Sequence, residues 1–388
     1  MADPEGTLHG DVDWGDLERR PYRLSRSMRW FLASLVAYAA LFYYDYSGAA
    51  GTYVVGNWAP IRLDWLYLLA VLLFGCFVVL PAVENRGSTV RYWRRFRRHR
   101  PAVVAAAFLG VLALVGTFGP LFVGRPGIDL YHQNLPPLGF TVERGPVAYK
   151  CLSGNVGTPA NPLCAGTWHH PLGTNADGKG MIPLLVTGAR VTMLLSLVAA
   201  MLIVPLATLV GVVAGYRGGI VDDLLMSYVD VQETVPAFVV YVILIFLVGR
   251  SLFLIVVVFG LLSWGGPARV VRGEVVKRKT STYVRAARSQ GASHLAVVRR
   301  HILPNVSATV VVATTRQIPV LLLTEAAIAY LGLSDAILYS WGAQIAEGGT
   351  STVTWWIWLF PALALAATIV SVSVVGDALR DTFDPRDA

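Results

Sequence analysis

Trp65 to Val83 is an unbroken apolar run of 19 residues, and it restricts the fold of this chain more than any motif does. In the hydrocarbon of a bilayer no water reaches the backbone, so every N–H and C=O must find its partner within the protein. A helix of about 20 residues does this while crossing the layer at 1.5 Å per residue. Comparable runs follow at Ala102 to Val123, Val191 to Tyr216, Thr234 to Gly249, Leu252 to Pro267, Val306 to Leu331 and Trp355 to Gly376. With the shorter run from Trp30 to Tyr44 they make eight candidate helices. Hydrophobic residues are 55% of the 388 and charged residues only 14%, too apolar for a protein with a soluble surface. The expected fold is an all-α polytopic membrane protein.

The net charge of +8 could point to nucleic acid, but the aromatic residues lie in the apolar runs instead of alternating with lysine and arginine. Orientation accounts for the charge better. Placing the N-terminus, 84–100, 215–222, 267–304 and the C-terminus in the cytoplasm collects 24 of the 32 lysines and arginines, including the seven arginines between Arg86 and Arg100. Seven fall on the other side, and Arg316 lies inside a span. Both termini are therefore expected in the cytoplasm, on a multi-pass protein of the plasma membrane. Residues 30–50 admit two readings: a short first helix, or a signal-peptide core cleaved near Ala50. The aromatics at its end and the span that follows so soon favour the helix.

One charged break interrupts the apolar second half, Thr280 to Asn305. Ser281 or Thr282 can cap a short helix with Tyr283, Ala286, Ala287 and Gln290 at helical spacing and Arg285 and Arg288 beside them. Gly291 can take the left-handed conformation that ends a helix. Ser293, after Ala292, can cap a second one carrying Leu295, Val298 and Ile302 on one face, with Arg299, Arg300 and His301 in its last turn and Leu303-Pro304 at the next change of direction. The expectation is a helix, a glycine corner and a helix. Composition alone would suit a basic loop held by anionic lipid.

The spacing Ala286-Ala287, Gly291, His301-Ile302-Leu303-Pro304 resembles the "EAA" loop of ABC importer permeases, in the C-type version of the oligopeptide/dipeptide/nickel systems. Arg285 stands where the family has a glutamate. Further stretches are similar in order over roughly 102–388: His170-Pro-Leu-Gly-Thr174, Gly188-Ala-Arg190, Ala214-Gly215-Tyr216, Val229-Asp230, Ser263-Trp264, Glu325-Ala326, Ser340-Trp341-Gly342 and Gly376-Asp377. After Thr174 the family continues Asp-x-x-Gly-Arg-Asp, whereas this chain has Asn175, Gly178, Lys179 and Gly180. The resemblance implies a type I permease core of about six helices, here with an N-terminal two-helix extension. It implies ATPase coupling through Arg285, Ala286, Ala287, Arg288, Gly291, Ala292, Ser293, His301, Leu303 and Pro304. It also implies a homologous permease subunit as heterodimer partner, two ATP-binding subunits holding ATP and magnesium, and an extracytoplasmic solute-binding protein. The expected organisation is a polar tail over 1–29, an added helical hairpin and basic loop over 30–100, the first family helix over 101–123, an extracytoplasmic loop over 124–180, and the core over 181–388 with its coupling loop at 280–305.

Catalytic motifs are missing. Gly178-Lys179-Gly180 lacks the upstream glycine and the hydroxyl residue of a phosphate loop, and neither a G-x-S-x-G elbow nor an H-E-x-x-H pair occurs. The chain is expected to bind no cofactor, metal or nucleic acid itself. Ionisable groups in spans are costly unless paired or facing water, which singles out Arg316, Asp230, Glu233 and Glu325 as a solute path or gate, or else as structural ion pairs. In the outer loop Cys151 and Cys164 can close a disulfide, worth about 3 kcal/mol for a loop of that size, or stay as thiols. A metal site built on these cysteines with His169 and His170 is a minor alternative. Ile337, Trp341, Gln344 and Ile345 make a short amphipathic piece expected to rim the outer mouth. The competing function is a stand-alone, ion-driven secondary transporter or channel, for which no internal repeat speaks.

Overall fold

The computed structural model describes residues 26–47, 62–124, 126–143, 151, 155–158, 161–335, 339–349 and 351–383. They fall into two units, one of residues 1–59 and 71–86 and one of residues 60–70 and 87–388.

In the first unit, α1 (Arg26–Ser47) is a helix with no buried residue, and its Phe31 ring lies 5.4 Å from Phe77. Residues 30–44 lie within this helix, which suits a retained helix and a signal-peptide core alike, and residues 48–50, where a cleavage would fall, lie outside the described residues. α1 is not among the helices long and apolar enough to cross a membrane.

The helix α2 (Arg62–Phe74), the start of the apolar helix Leu63–Glu84, has residues 62–70 in the second unit and 71–74 in the first; the second unit continues with α3 (Arg86–Phe96) from residue 87 and with α4 (Arg100–Val123). Its core helices are α5 (Met181–Arg217), α6 (Gly219–Thr234), α7 (Ala237–Val248), α8 (Leu252–Leu262) and α9 (Gly265–Lys279). After two short helices come α12 (Leu303–Thr315), α13 (Gln317–Tyr330), α14 (Trp341–Gly348) and α15 (Trp356–Phe383). Among the described residues six helices are long and apolar enough to cross a membrane, or seven if the bent pair α6–α7 is one span.

Several expected boundaries move. The run from Thr234 is not a straight span: α6 stops at Thr234, Pro236 precedes α7, and the two helices bend by 68°. Proline disfavours a helical residue before it and cannot donate into the preceding turn. The helix expected to end at Pro267 breaks at Ser263 and then runs on to Lys279, because Pro267 sits in the first turn of α9, where no donor is needed. Residues 306–331 are likewise two helices meeting at Arg316, with Pro319 in the first turn of the second. The carbonyls freed at the α8 break find side-chain donors: Gln232 Nε2 bonds Leu261 O at 2.9 Å and Gln317 Nε2 bonds Ser263 O at 2.7 Å. That satisfies a backbone that lipid could not.

α5 is the central rod, 37 residues or roughly 55 Å at 1.5 Å per residue. Glycines let its neighbours come close. A Cβ at Gly211 would lie 2.6 Å from Ala268 O, and one at Gly215 would lie 2.8 Å from Arg272 O and 2.9 Å from Val275 Cβ, so α9 rests on the α5 backbone. Asp222 of α6, buried, accepts a two-pronged bond from the Arg272 guanidinium at 2.5–3.2 Å, tying α9 to α6 as well. Near the opposite end of α5, Arg190 pairs with buried Asp64 at 2.5 Å.

The 124–180 stretch adds a small antiparallel sheet to this helical fold, β1 (Thr141–Glu143), β2 (Asn155–Thr158) and β3 (Asn161–Ala165), in the order β1-β3-β2. Cys151 and Cys164 are disulfide-bonded, and Cys164 is fully buried on β3 beside Leu135, Met181 and Trp356. Trp341 and Gln344 do not rim a mouth: both are buried, Trp341 lying across Gly188 and bonding Leu185 O at 3.2 Å, Gln344 Nε2 bonding Leu184 O at 3.0 Å. An indole fills the space a glycine leaves, and the amide satisfies backbone at the start of α5. Ile337 lies outside the described residues.

Asn175 organises the turn where the chain departs from the family pattern. Its Oδ1 accepts from Lys179 N at 2.8 Å and its Nδ2 donates to Glu347 Oε2 at 3.2 Å, while Lys179 Nζ meets Asp177 at 2.5 Å and lies over the Tyr339 ring. Beneath it Thr174 bonds Leu135 N and His132 O, and Trp356 Nε1 donates to Thr174 O at 2.9 Å. Burial, helped by the neighbouring His169 and His132 rings and opposed by Asp129, holds His170 below its usual value of 6.5. A depressed histidine favours the neutral form in the fold, so this contribution is complete above the ordinary value and is lost as pH falls through the depressed one. Hydrogen exchange corrected for intrinsic rates is expected to speed up over residues 129–135 and 169–180 between about pH 7 and about pH 5, across the histidine range. His170→Gln should flatten that dependence. An unchanged pH profile in the variant would mean that another group carries it.

Candidate functional site

The charged break folds as helix, corner, helix. α9 ends in Lys277, Arg278 and Lys279, cations at the negative end of its dipole. α10 (Thr282–Ser289) starts after Ser281, whose hydroxyl makes no capping bond, and closes with Gly291 N bonding Arg288 O at 3.0 Å and Ala292 N bonding Ala287 O at 3.1 Å. Those two bonds are a Schellman closure, and Gly291 at φ +84° is the left-handed residue it requires. Ser293 Oγ then accepts from Ala296 N at 3.3 Å to start α11 (His294–Val297). A π-helical turn, Val298–Ile302, leads into α12, with Pro304 in its first turn.

Burial of the corner differs from the periodic reading. Val284, Val297 and Ile302 are fully buried against Val271, Val275 and Val306, whereas Tyr283 is exposed and Leu295 is 76% exposed. In α10 the side packed on the valines of α9 is that of Val284, while Tyr283, Ala286 and Gln290 are exposed. Past α11 the π turn adds a residue to the cycle and shifts the phase, taking Leu295 off the face of Ile302. Arg285, Ala286, Arg288, Gly291, Ser293, Leu303 and Pro304 are exposed, and Ala287, Ala292 and His301 are half-buried. Arg285, Arg299 and Arg300 have no carboxylate partner among the described residues.

Tyr216, at the end of α5, pins the corner. Its hydroxyl meets His294 Nδ1 at 3.0 Å, Arg288 Nη2 meets the same nitrogen at 3.2 Å, and the Lys279 and Arg288 cations lie 5.8 and 5.7 Å from its ring centre. A guanidinium can only donate, so Nδ1 accepts, the tyrosine hydroxyl donates, and a neutral His294 carries its proton on Nε2. Sequence reasoning did not single out His294 or Lys279. The signal was faint: an aromatic beside Gly215 at a helix end and cations on two later segments.

The span charges are scattered. Asp230 and Glu233 of α6 both pair with Arg269 of α9, at 2.6 and 2.8 Å. Arg316 sits at the α12–α13 break, 59% exposed, with Asp377 of α15 at 3.7 Å. Glu325 faces the other way, buried under α14 with the Ser340 hydroxyl as partner and Oε1 without one among the described residues. Gly342 rests on Ala326 there, a Cβ being 2.5 Å from Ala326 Cα. The four residues are thus not one cluster. Among the described residues no group of three or more His, Cys, Asp or Glu could hold a metal.

A family described as "binding-protein-dependent transport system inner membrane component" matches residues 207–386, and one described as "N-terminal TM domain of oligopeptide transport permease C" matches residues 89–137. The chain is 35% identical to the oligopeptide transport system permease protein OppC of Escherichia coli K12, over 79% of this chain and 93% of that protein. It belongs to the C-type permease family of oligopeptide and dipeptide ABC importers. Similar too are OppC of Haemophilus influenzae, 30% identical over 79% of this chain and 91% of that protein, and the dipeptide transport system permease protein DppC of Bacillus subtilis, 30% identical over 76% and 84%. A chain of the MetNI methionine ABC transporter, solved in inward-facing conformations, is 19% identical over 53% of this chain and 98% of that one, with a TM-score of 0.44. This C-type permease is therefore a multi-pass inner membrane component of an ABC transporter, and a non-catalytic one.

Proposed function

We propose that this C-type permease forms, with a homologous subunit, the path of a peptide-like solute. ATP-binding subunits holding ATP and magnesium drive it through the 280–305 corner, and an extracytoplasmic solute-binding protein delivers the cargo. The observation that carries this reading is the corner itself: a Schellman-closed pair of helices, anchored from beneath by Val284, Val297 and Ile302, whose exposed Arg285, Arg299 and Arg300 have no carboxylate partner among the described residues. An element held so firmly on α9 and α12 moves those helices with it, which is the requirement for alternating access by rigid-body levers. The lever begins at Gly265, since α9 is continuous from there to Lys279. The charge distribution supports a cytoplasmic corner and cytoplasmic termini.

Arg285 replaces the family's glutamate and has no carboxylate partner among the described residues. It suits an acidic face on the ATP-binding subunit. Co-purification of the ATP-binding subunits with the permease tests the reading. Arg285→Glu is expected to weaken association by about tenfold or more, as reversing an interfacial charge does, while Arg285→Lys stays near wild type. If wild-type permease brings down no ATP-binding subunit, the docking reading fails. No observation favours the stand-alone transporter.

A further inference from the structure

Beside the corner lies an open groove of about 1040 Å³. One wall is α5, through Pro205, Leu209, Val212 and Val213; the other is Leu295, Val298 and Leu303. Leu209 is 63% exposed and Leu295 76%, so no described residue covers these two side chains. Arg217, Lys279 and Arg288 stand at one end of the groove. None of the three has a carboxylate partner among the described residues, and the contact of Arg288 with the His294 ring brings no negative charge to offset them.

The apolar wall runs along a membrane-crossing helix, and the cations stand where that helix ends at Arg217. A ligand that satisfies both must be an amphiphile with an anionic head and an apolar body as long as the wall, roughly 12 Å from Pro205 to Val213 at 1.5 Å per residue. We propose that the groove is a binding site for an anionic phospholipid, its phosphate among Arg217, Lys279 and Arg288 and its acyl chains along α5. Any apolar helix face touches lipid; the unpaired cations at one end make this site select charge. A zwitterionic lipid brings its own cation and gains less. The bound lipid joins the end of α5 to the α10–α11 corner, adding to the contact that Tyr216 makes through His294. The site stands independently of ATPase docking, since it needs only this chain and a membrane.

Native mass spectrometry of the purified importer, delipidated and titrated with phosphatidylglycerol or phosphatidylcholine, tests it. Wild type is expected to retain phosphatidylglycerol in preference to phosphatidylcholine. Removing two juxtamembrane cations in Arg217→Ala/Lys279→Ala should reduce that retention about thirty-fold. The remote pair Arg97→Ala/Arg98→Ala should leave it unchanged, and free glycerol phosphate should not compete. Leu209→Trp, which fills the groove, should lower retention of the lipid while the complex keeps its melting temperature. Should that variant misfold, the cation pair decides alone. The proposal is overturned if the two lipids are retained equally, if the remote pair lowers retention as much, or if glycerol phosphate competes as well as the lipid. It is overturned too if a photoreactive residue at 209 crosslinks to the partner permease subunit instead of lipid. Loss of the ATP-binding subunits with lipid retention intact would count against the docking reading and leave this site standing.

Discussion

Gly215→Leu is expected to abolish recovery of folded permease. A single Cβ at that position already comes within 2.8 Å of Arg272 O and 2.9 Å of Val275 Cβ, and neither a backbone carbonyl nor a branched Cβ inside α9 can swing aside. Overpacking a filled contact costs roughly 1–3 kcal/mol even when side chains can yield, and here the obstacle includes backbone. Moving α9 would also strain the Arg272–Asp222 pair, whose separation would leave a carboxylate buried without its cation. Gly215→Ala grades the effect with one methyl. Thermal unfolding followed by size exclusion should rank wild type above alanine above leucine. Wild-type melting in the leucine variant would mean that the two helices do not meet at this glycine.

Gly291→Arg should leave the permease folded and uncouple it. The residue sits at φ +84° with nothing within 4 Å of an added Cβ, so the substitution meets no wall inside the chain. Its backbone penalty is about 1–2 kcal/mol, the cost of a left-handed L-residue. Gly291→Ala carries the same penalty without the long side chain. Solute-stimulated ATP hydrolysis in the reconstituted importer is expected to fall about tenfold or more for arginine, the consequence of losing some 1.4 kcal/mol at a docking surface, and far less for alanine. Wild-type activity in both variants would place Gly291 outside the docking face, and a fall shared equally by both would make it a matter of loop geometry alone.

Much of the architecture was legible because it depends on short-range rules. Apolar runs announce helices in a membrane, and a serine or a glycine announces a start or an end. The corner followed from Gly291 and Ser293, each of which acts on its own backbone within a few residues. The breaks at Ser263 and Arg316 were less legible, because a helix can stop inside an apolar run only where another segment satisfies the freed carbonyls. Gln317 does that for Ser263 across 54 positions of sequence. The bend at Val235–Pro236 carried a local sign, a proline, yet its 68° angle depends on what α6 and α7 each rest on.

Of the candidate site, the sequence by itself determined which residues form the corner, where it turns and which side of the membrane its charge favours, since capping, glycine conformation and charge asymmetry are local properties. Only the tertiary structure decided that Val284 and Val297 face inward and Leu295 outward, because that depends on the valines of α9 and α12 beneath them. It also decided that Arg269 joins Asp230 and Glu233, that Arg316 turns to Asp377 while Glu325 is buried under α14, and that Tyr216 meets His294 from 78 positions away. Such pairings are settled by which helices touch, and sequence spacing carries no term for contacts between helices that are distant along the chain.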